Sequence, residues 1–352
     1  MSEWIAFLSF DLMGLIAFGK DFNQLESAVE HVAIQRLYAT LDLIGRLAPV
    51  PWLLGLLTSI PKLSGSYIEF INYCWVQVEE KKKRWLSKSD QVPADIISWL
   101  LQAIGKKDAS APPGDQALHE DGRLMIIAGS DTITSTIANA LYYLAMHPSK
   151  YHKLQLETDK IQLPHNKDNP SISSAAFDAC QVSELPYLDA VINEVLRLKP
   201  ASPSGQPRVT PPEGLQIDEV RVPGNVIITV PQHSIQRDER NFADANEFRP
   251  ERWINEDSEV HREAAFFPFC IGGLSLILQP GQSFLTSTGP LSCPGKRLAI
   301  TEMQIVLASI SRQFDLEFSP GQSRTAFDTQ VKDTVTLAVP PLLLVFKERD
   351  RG

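Results

Sequence analysis

Helical periodicity runs almost without a break from the first residues to Pro200, and that property confines the chain to a mainly α architecture with small β-sheets. Residues 4–19 are apolar, interrupted by Asp11 and preceded by Glu3, and read as a core helix. The stretch has no basic front and falls short of the ~20 apolar residues that cross a bilayer, so neither a signal peptide nor a transmembrane anchor is expected. Further helices are predicted over 22–46, 67–85 and 94–104. The second of these ends in Lys81-Lys82-Lys83-Arg84, read as a solvated terminus where cations suit the helix dipole. After a Pro-Pro-Gly loop, one long helix spans about 118–146 and is limited by Pro148. Another begins near Ser149, a polar loop covers 164–174, and Ser183 is the expected N-cap of a helix that stops before Pro200.

Beyond Pro200 the texture changes. Arg208-Val209, 215–217 and 226–230 read as short strands between Pro- and Gly-containing turns, a helix follows Cys293, and strands over 335–339 and 342–346 close the chain. All 352 residues are read as a single domain. The net charge of -9 argues against nucleic acid as a partner, because phosphate binding needs a basic surface. The four cysteines, Cys74, Cys180, Cys270 and Cys293, form no CxxC pair and show no zinc spacing to the histidines, which suits free thiols in a reducing, intracellular compartment.

Four short motifs carry chemistry. In Ala128-Gly129-Ser130-Asp131-Thr132 a helix-interior glycine, costing about 1 kcal/mol relative to alanine, is joined to a threonine able to bond the Ala128 carbonyl. The pair predicts a bent, locally opened helix with an acid and an alcohol able to relay protons. In Glu194-Val195-Leu196-Arg197 the charges share a helix face. Phe248-Arg249-Pro250-Glu251-Arg252-Trp253 can bring Arg252 back to that pair. In Cys293-Pro294-Gly295-Lys296-Arg297 a cysteine just ahead of a helix meets unpaired amides that favour thiolate, and Gly295 allows close approach of a flat ligand. Taken singly, each reads more readily as ordinary surface or capping chemistry.

Their order and spacing resemble the cytochrome P450 family, and residues 185–197, 207–214 and 222–253 look especially like its fungal members. The resemblance implies the P450 fold lacking its N-terminal portion, with the middle helices through to the C-terminus present. It implies haem b (iron-protoporphyrin IX) with Cys293 as axial thiolate, whose electron push favours O–O cleavage. By the same resemblance, Asp131 and Thr132 guide protons to bound dioxygen, and Glu194, Arg197 and Arg252 form a buried ion network. Arg208 pairs a haem propionate and Phe269 shields the sulfur. The implied function is insertion of one oxygen atom of O2 into a small apolar organic substrate, in fungal secondary metabolism. Electrons come from NADPH through a reductase, which Lys296 and Arg297 are placed to meet. The full-length relative is expected to be anchored in the endoplasmic reticulum membrane.

Two departures bear on this reading. Residues 273–289 separate Phe269-Cys270-Ile271-Gly272 from Pro290-Leu291-Ser292-Cys293 and match no family element; they read as a retained intron or mis-predicted splice site, with a natural loop insertion as the alternative. Leu291 stands where the family has an arginine. The chain also begins at the middle helices, so a second function stays open: an inactive fragment or pseudoenzyme that no longer binds haem. A haem-thiolate isomerase or dehydratase is a third, which the Asp131-Thr132 pair argues against.

Overall fold

The computed structural model describes residues 1–47, 50, 53, 61–87, 92–161, 177–254, 263–270 and 292–350. The loop over 164–174, Leu291 and the segment 273–289 lie outside the described residues. The fold is mainly helical with small sheets. The chain divides into two units, Met1–Ser135 with Pro340–Leu342, and Thr136–Val339 with Leu343–Gly352.

In the first unit, α1 (Ser2–Met13) runs into a π-type turn, Gly14–Phe18, that stops at Gly19 in the left-handed region. Asp11, the charge inside this apolar helix, is buried because it accepts from the amides of Gln24 and Leu25 at 3.0 and 2.7 Å. Its carboxylate thereby satisfies orphan donors at the start of α2 (Gln24–Ser27). The single helix expected over 22–46 is broken. Ala28 at φ 55 ends α2, and α3 (Val32–Leu47) starts afresh.

Two further helices, α4 (Pro61–Leu86) and α5 (Ile96–Lys106), precede the long α6 (Asp115–Met146), whose residues through Ser135 belong here. The basic end of α4 is not simply solvated: Lys81 pairs with Asp95 at the start of α5, and Lys82 with Asp115 at the start of α6, the latter at 2.8 Å. Asp95 is also the N-cap of α5 in a reciprocal box with Ser98. Phe10, Phe18, Ile34, Phe70, Val78, Ile97, Leu118 and Ile126 are the buried apolar centre.

In the second unit, α7 (Pro148–Thr158), a short α8 (Ala179–Val182) and α9 (Pro186–Leu198) pack with α11 (Lys296–Gln313), while α10 (Gln232–Gln236) contacts α9. The remainder of α6 contributes Ile137, Leu141 and Leu144 to the buried apolar residues of this unit, which include Leu154, Val191, Val195 and Leu307. Ser183 is not the cap of α9. Its hydroxyl donates to Cys180 O at 2.7 Å within the end of α8, and α9 starts three residues later at Pro186. The orphan amides of Tyr187 and Leu188 instead donate to the two carboxylate oxygens of Glu157, at 2.8 and 2.9 Å.

Among the described residues every strand pairing is antiparallel. β1 (Arg208–Val209) pairs β4 (Ile227–Ile228), and β2 (Leu215–Ile217) pairs β3 (Val220–Val222). β5 (Phe314–Phe318) pairs β8 (Leu344–Glu348), set so that Phe314 faces Glu348. After a helical turn, α12 (Arg324–Thr329), β6 (Lys332–Thr334) pairs β7 (Thr336–Ala338) around Val335, at φ 83. The strand expected over 335–339 is therefore one arm of a tight hairpin, with its first residue at the turn.

Candidate functional site

In the second unit, α9 carries Glu194 and Arg197 one turn apart, and the turn Pro250–Trp253 packs against it. Glu194, Arg197 and Arg252 come together here with side chains sealed from solvent. Arg197 makes a bidentate pair with Glu194, Nε to Oε2 and a terminal nitrogen to Oε1, both at 2.9 Å. Arg252 Nε donates to Oε1 at 3.1 Å, and the Arg249 amide reaches the same oxygen at 2.9 Å.

The other three guanidinium protons of Arg197, and two of Arg252, are taken up by main-chain carbonyls. Arg197 donates to Gln236, Ala245 and Glu247, and Arg252 to Ala243 and Asp244. The ions thus hold the loop 243–247 by its backbone, beside the side-chain contacts of Asp244 with Arg249 and of Asn246 with Arg237. Sequence reasoning missed Trp253, whose indole N–H donates to Glu194 Oε2 at 3.0 Å. The available signal was an aromatic with a polar handle directly after Arg252. Glu251 stands apart from this cluster, bridging Lys150 at 3.0 Å and Lys153 at 2.7 Å.

Also in this unit, Cys293 is exposed and lies two residues ahead of Gly295, the N-cap of α11. Its amide donates to Phe269 O at 3.0 Å, which ties the cysteine to the segment before it. The half-buried Phe269 ring carries the Lys296 ammonium over its face at 5.8 Å. Among the described residues, a Cβ on Gly295 would meet only Cys293 Sγ within 4 Å, at 3.8 Å. Arg208, exposed on β1, donates to its neighbour Pro207 O. Burial raises the pKa of the Cys270 thiol, Arg208 lowers it and Cys293 raises it, so three groups well separated in sequence share one neighbourhood.

In the first unit, Thr132 Oγ1 donates to Ala128 O at 2.7 Å, the back-bond expected of it. The helix nevertheless continues through this point, and no break opens at Gly129. The glycine has another reason: a Cβ there would lie 2.6 Å from Met13 Sδ, so α1 packs directly on the α6 backbone. Asp131 is buried, at 6% exposure, and Tyr38 on α3 hydrogen-bonds to it. Burial raises the Tyr38 pKa well above its ordinary value, with Asp131 adding to it, so the hydroxyl is the donor and the carboxylate the acceptor. Nothing in the sequence around Tyr38 signalled this partner.

The sequence model of the family described as Cytochrome P450 matches residues 1–275 and 276–346. The chain belongs to the cytochrome P450 family. Among curated P450s, it is 35% identical to cytochrome P450 monooxygenase eupD of Phoma sp over 313 residues, 88% of this chain and 100% of that one. It is 33% identical to monooxygenase FCK2 of Fusarium pseudograminearum over 99% of this chain but 58% of the relative. Tryprostatin B 6-hydroxylase of Aspergillus fumigatus is 32% identical, over 92% of this chain and 52% of the relative. The P450 chain thus spans the whole of one relative and a little over half the length of the other two.

P450 membership implies haem, and the residues beside Cys293 fit it. They offer an exposed sulfur, a glycine at Gly295 whose Cβ position meets only that sulfur among the described residues, and a cation, Arg208, within electrostatic range of the same loop.

Proposed function

We propose that this chain is a haem-thiolate monooxygenase that inserts one oxygen atom of O2 into a small apolar organic molecule. The observation that carries the reading is Cys293, exposed ahead of α11 with its amide bonded to Phe269 O at 3.0 Å. A thiol so tethered is a preorganised single ligand for a metal whose other ligands come with the cofactor. In this reading Cys293 Sγ holds the iron, Arg208 meets a propionate, and Phe269 covers the sulfur. When bound, haem supplies the activation of dioxygen.

The chain's own residues supply protons and rigidity. Asp131, holding the Tyr38 hydroxyl, and Thr132 Oγ1, donating to Ala128 O, are the proton-handling pair. Glu194, Arg197 and Arg252 keep the loop 243–247 in one conformation. Membership of the family and the names of fungal relatives, one of them a hydroxylase, support oxygen insertion in fungal secondary metabolism. We infer electron supply from NADPH through a reductase meeting Lys296 and Arg297, at the endoplasmic reticulum membrane.

The test is the absorbance of the reduced, carbon monoxide-bound protein. A thiolate-type Soret band in the parent and its loss in Cys293→Ser are expected. The same band in both proteins, or no haem bound by the parent, overturns the reading. We also infer that residues 273–289 are a retained intron. What supports this is that the family match divides at 275/276, inside that segment. Transcripts that keep these codons throughout would refute it.

A further inference from the structure

We infer that Cys270 and Cys293 are a redox pair: in the haem-free chain, peroxide closes them to a reversible disulfide that masks the sulfur meant for iron. The pairing rests on backbone geometry, and only its consequence rests on the ligand reading above. The Cys293 amide is held 3.0 Å from Phe269 O, the carbonyl directly preceding Cys270. Standard bond lengths then keep the two Cα atoms within about 7 Å of each other. Native disulfides span roughly 4.4–6.8 Å between Cα atoms, so closure needs little backbone movement.

Cys270 is itself held in place. Its amide donates to Phe267 O at 3.1 Å and its φ is 58, a turn conformation that non-glycine residues seldom adopt. Access differs in a useful way: Cys293 is exposed and Cys270 half-buried, so a small oxidant in solution reaches the ligand sulfur first and the resolving thiol waits beside it. The two other cysteines belong elsewhere. Cys74 is buried in α4, and Cys180 is exposed in α8.

The chemistry balances with hydrogen peroxide as the oxidant. The Cys293 sulfur attacks one peroxide oxygen; an S–O bond forms, the O–O bond breaks, and one water leaves, giving a sulfenic acid. The Cys270 sulfur then attacks the Cys293 sulfur; the S–S bond forms, the S–O bond breaks, and a second water leaves. Two electrons pass from the two thiols to one peroxide. A dithiol reductant reverses the result by thiol–disulfide exchange. Without Cys270, the sulfenic acid would proceed to sulfinic acid, which thiols do not reverse.

The experiment treats the full haem-free chain with hydrogen peroxide, then maps peptides by mass spectrometry without reduction, and separately adds haemin before and after dithiothreitol. The expected result is a Cys270–Cys293 cross-linked peptide lighter by two hydrogens, loss of thiolate-type haem absorption, and recovery of both changes on reduction. Cys270→Ser should lose absorption under the same treatment without recovery, its Cys293 peptide carrying two added oxygens. Cys293 recovered as thiol, over-oxidised in the parent, or linked to Cys180 would overturn the pairing. A cross-link that forms and reduces in a chain that never gives a thiolate-type band would support the pairing and overturn the ligand reading instead.

Discussion

Glu194 and Arg252 lie 58 positions apart and share a hydrogen bond of 3.1 Å with no solvent at either side chain. Two guanidiniums, an indole and a backbone amide converge on that one carboxylate. Glu194→Gln keeps the shape but strands two buried cations, so a loss of about 3–5 kcal/mol is expected in denaturant unfolding. Trp253→Phe removes one bond to a charged acceptor and should cost about 1.5–3 kcal/mol. A Glu194→Gln loss below that of Trp253→Phe would show that the cluster does not hold the loop.

Gly129→Ala is predicted to run against helix propensity. In an open helix alanine gains about 1 kcal/mol over glycine. Here the new Cβ would meet buried Met13 at 2.6 Å, and overpacking of this kind typically costs 1–3 kcal/mol. The sign should reverse in a Met13→Ala background, where the same change becomes stabilising. Thermal unfolding of the four proteins forms the cycle that tests it.

Asp131→Asn is expected to lower turnover by roughly 100-fold, the scale of a lost general acid–base group. Tyr38→Phe leaves the carboxylate in place but removes its donor, so a smaller loss is expected, with oxygen consumption diverted from product to peroxide. Haem content and the carbon monoxide spectrum should stay unchanged in both. A Tyr38→Phe enzyme with parental coupling would assign the hydrogen bond to packing alone.

Acid stability should carry the signature of Glu251. Burial pushes its pKa up, but the hydrogen bonds from Lys153 and Lys150 outweigh this and hold it near about 2, below the ordinary 4.5. A depressed carboxylate stabilises the fold fully above its unfolded value and loses that contribution as pH falls through its folded value. Glu251→Gln should therefore flatten the fall of Tm between about pH 4.5 and 2 and lower the plateau above it. Parallel acid limbs in the two proteins would contradict this.

Much of the site was legible because each motif acts over short chain distance. Glu194 and Arg197 share a helix face by spacing alone, and the Thr132 back-bond follows from a four-residue offset. The family pattern linked Arg252 to them, which spacing alone could not do. What was illegible is settled by tertiary neighbours. Asp11 reads as a flaw in an apolar helix until Gln24 and Leu25 turn their amides to it. Gly129 reads as a hinge until Met13 occupies the place of its Cβ. The run Lys81-Lys82-Lys83-Arg84 reads as solvated because Asp95 and Asp115, its partners, lie on later helices. Ser183 has the right residue type for a cap but the wrong register, and no local rule points to Glu157 from a different helix.

That borrowed cap makes two amides into reporters of an event at a distance. The N–H groups of Tyr187 and Leu188 have their acceptor on α7, so their exchange with deuterium rises when α7 lifts away as well as when α9 frays. A probe placed at these two positions would watch one helix through the silence of another.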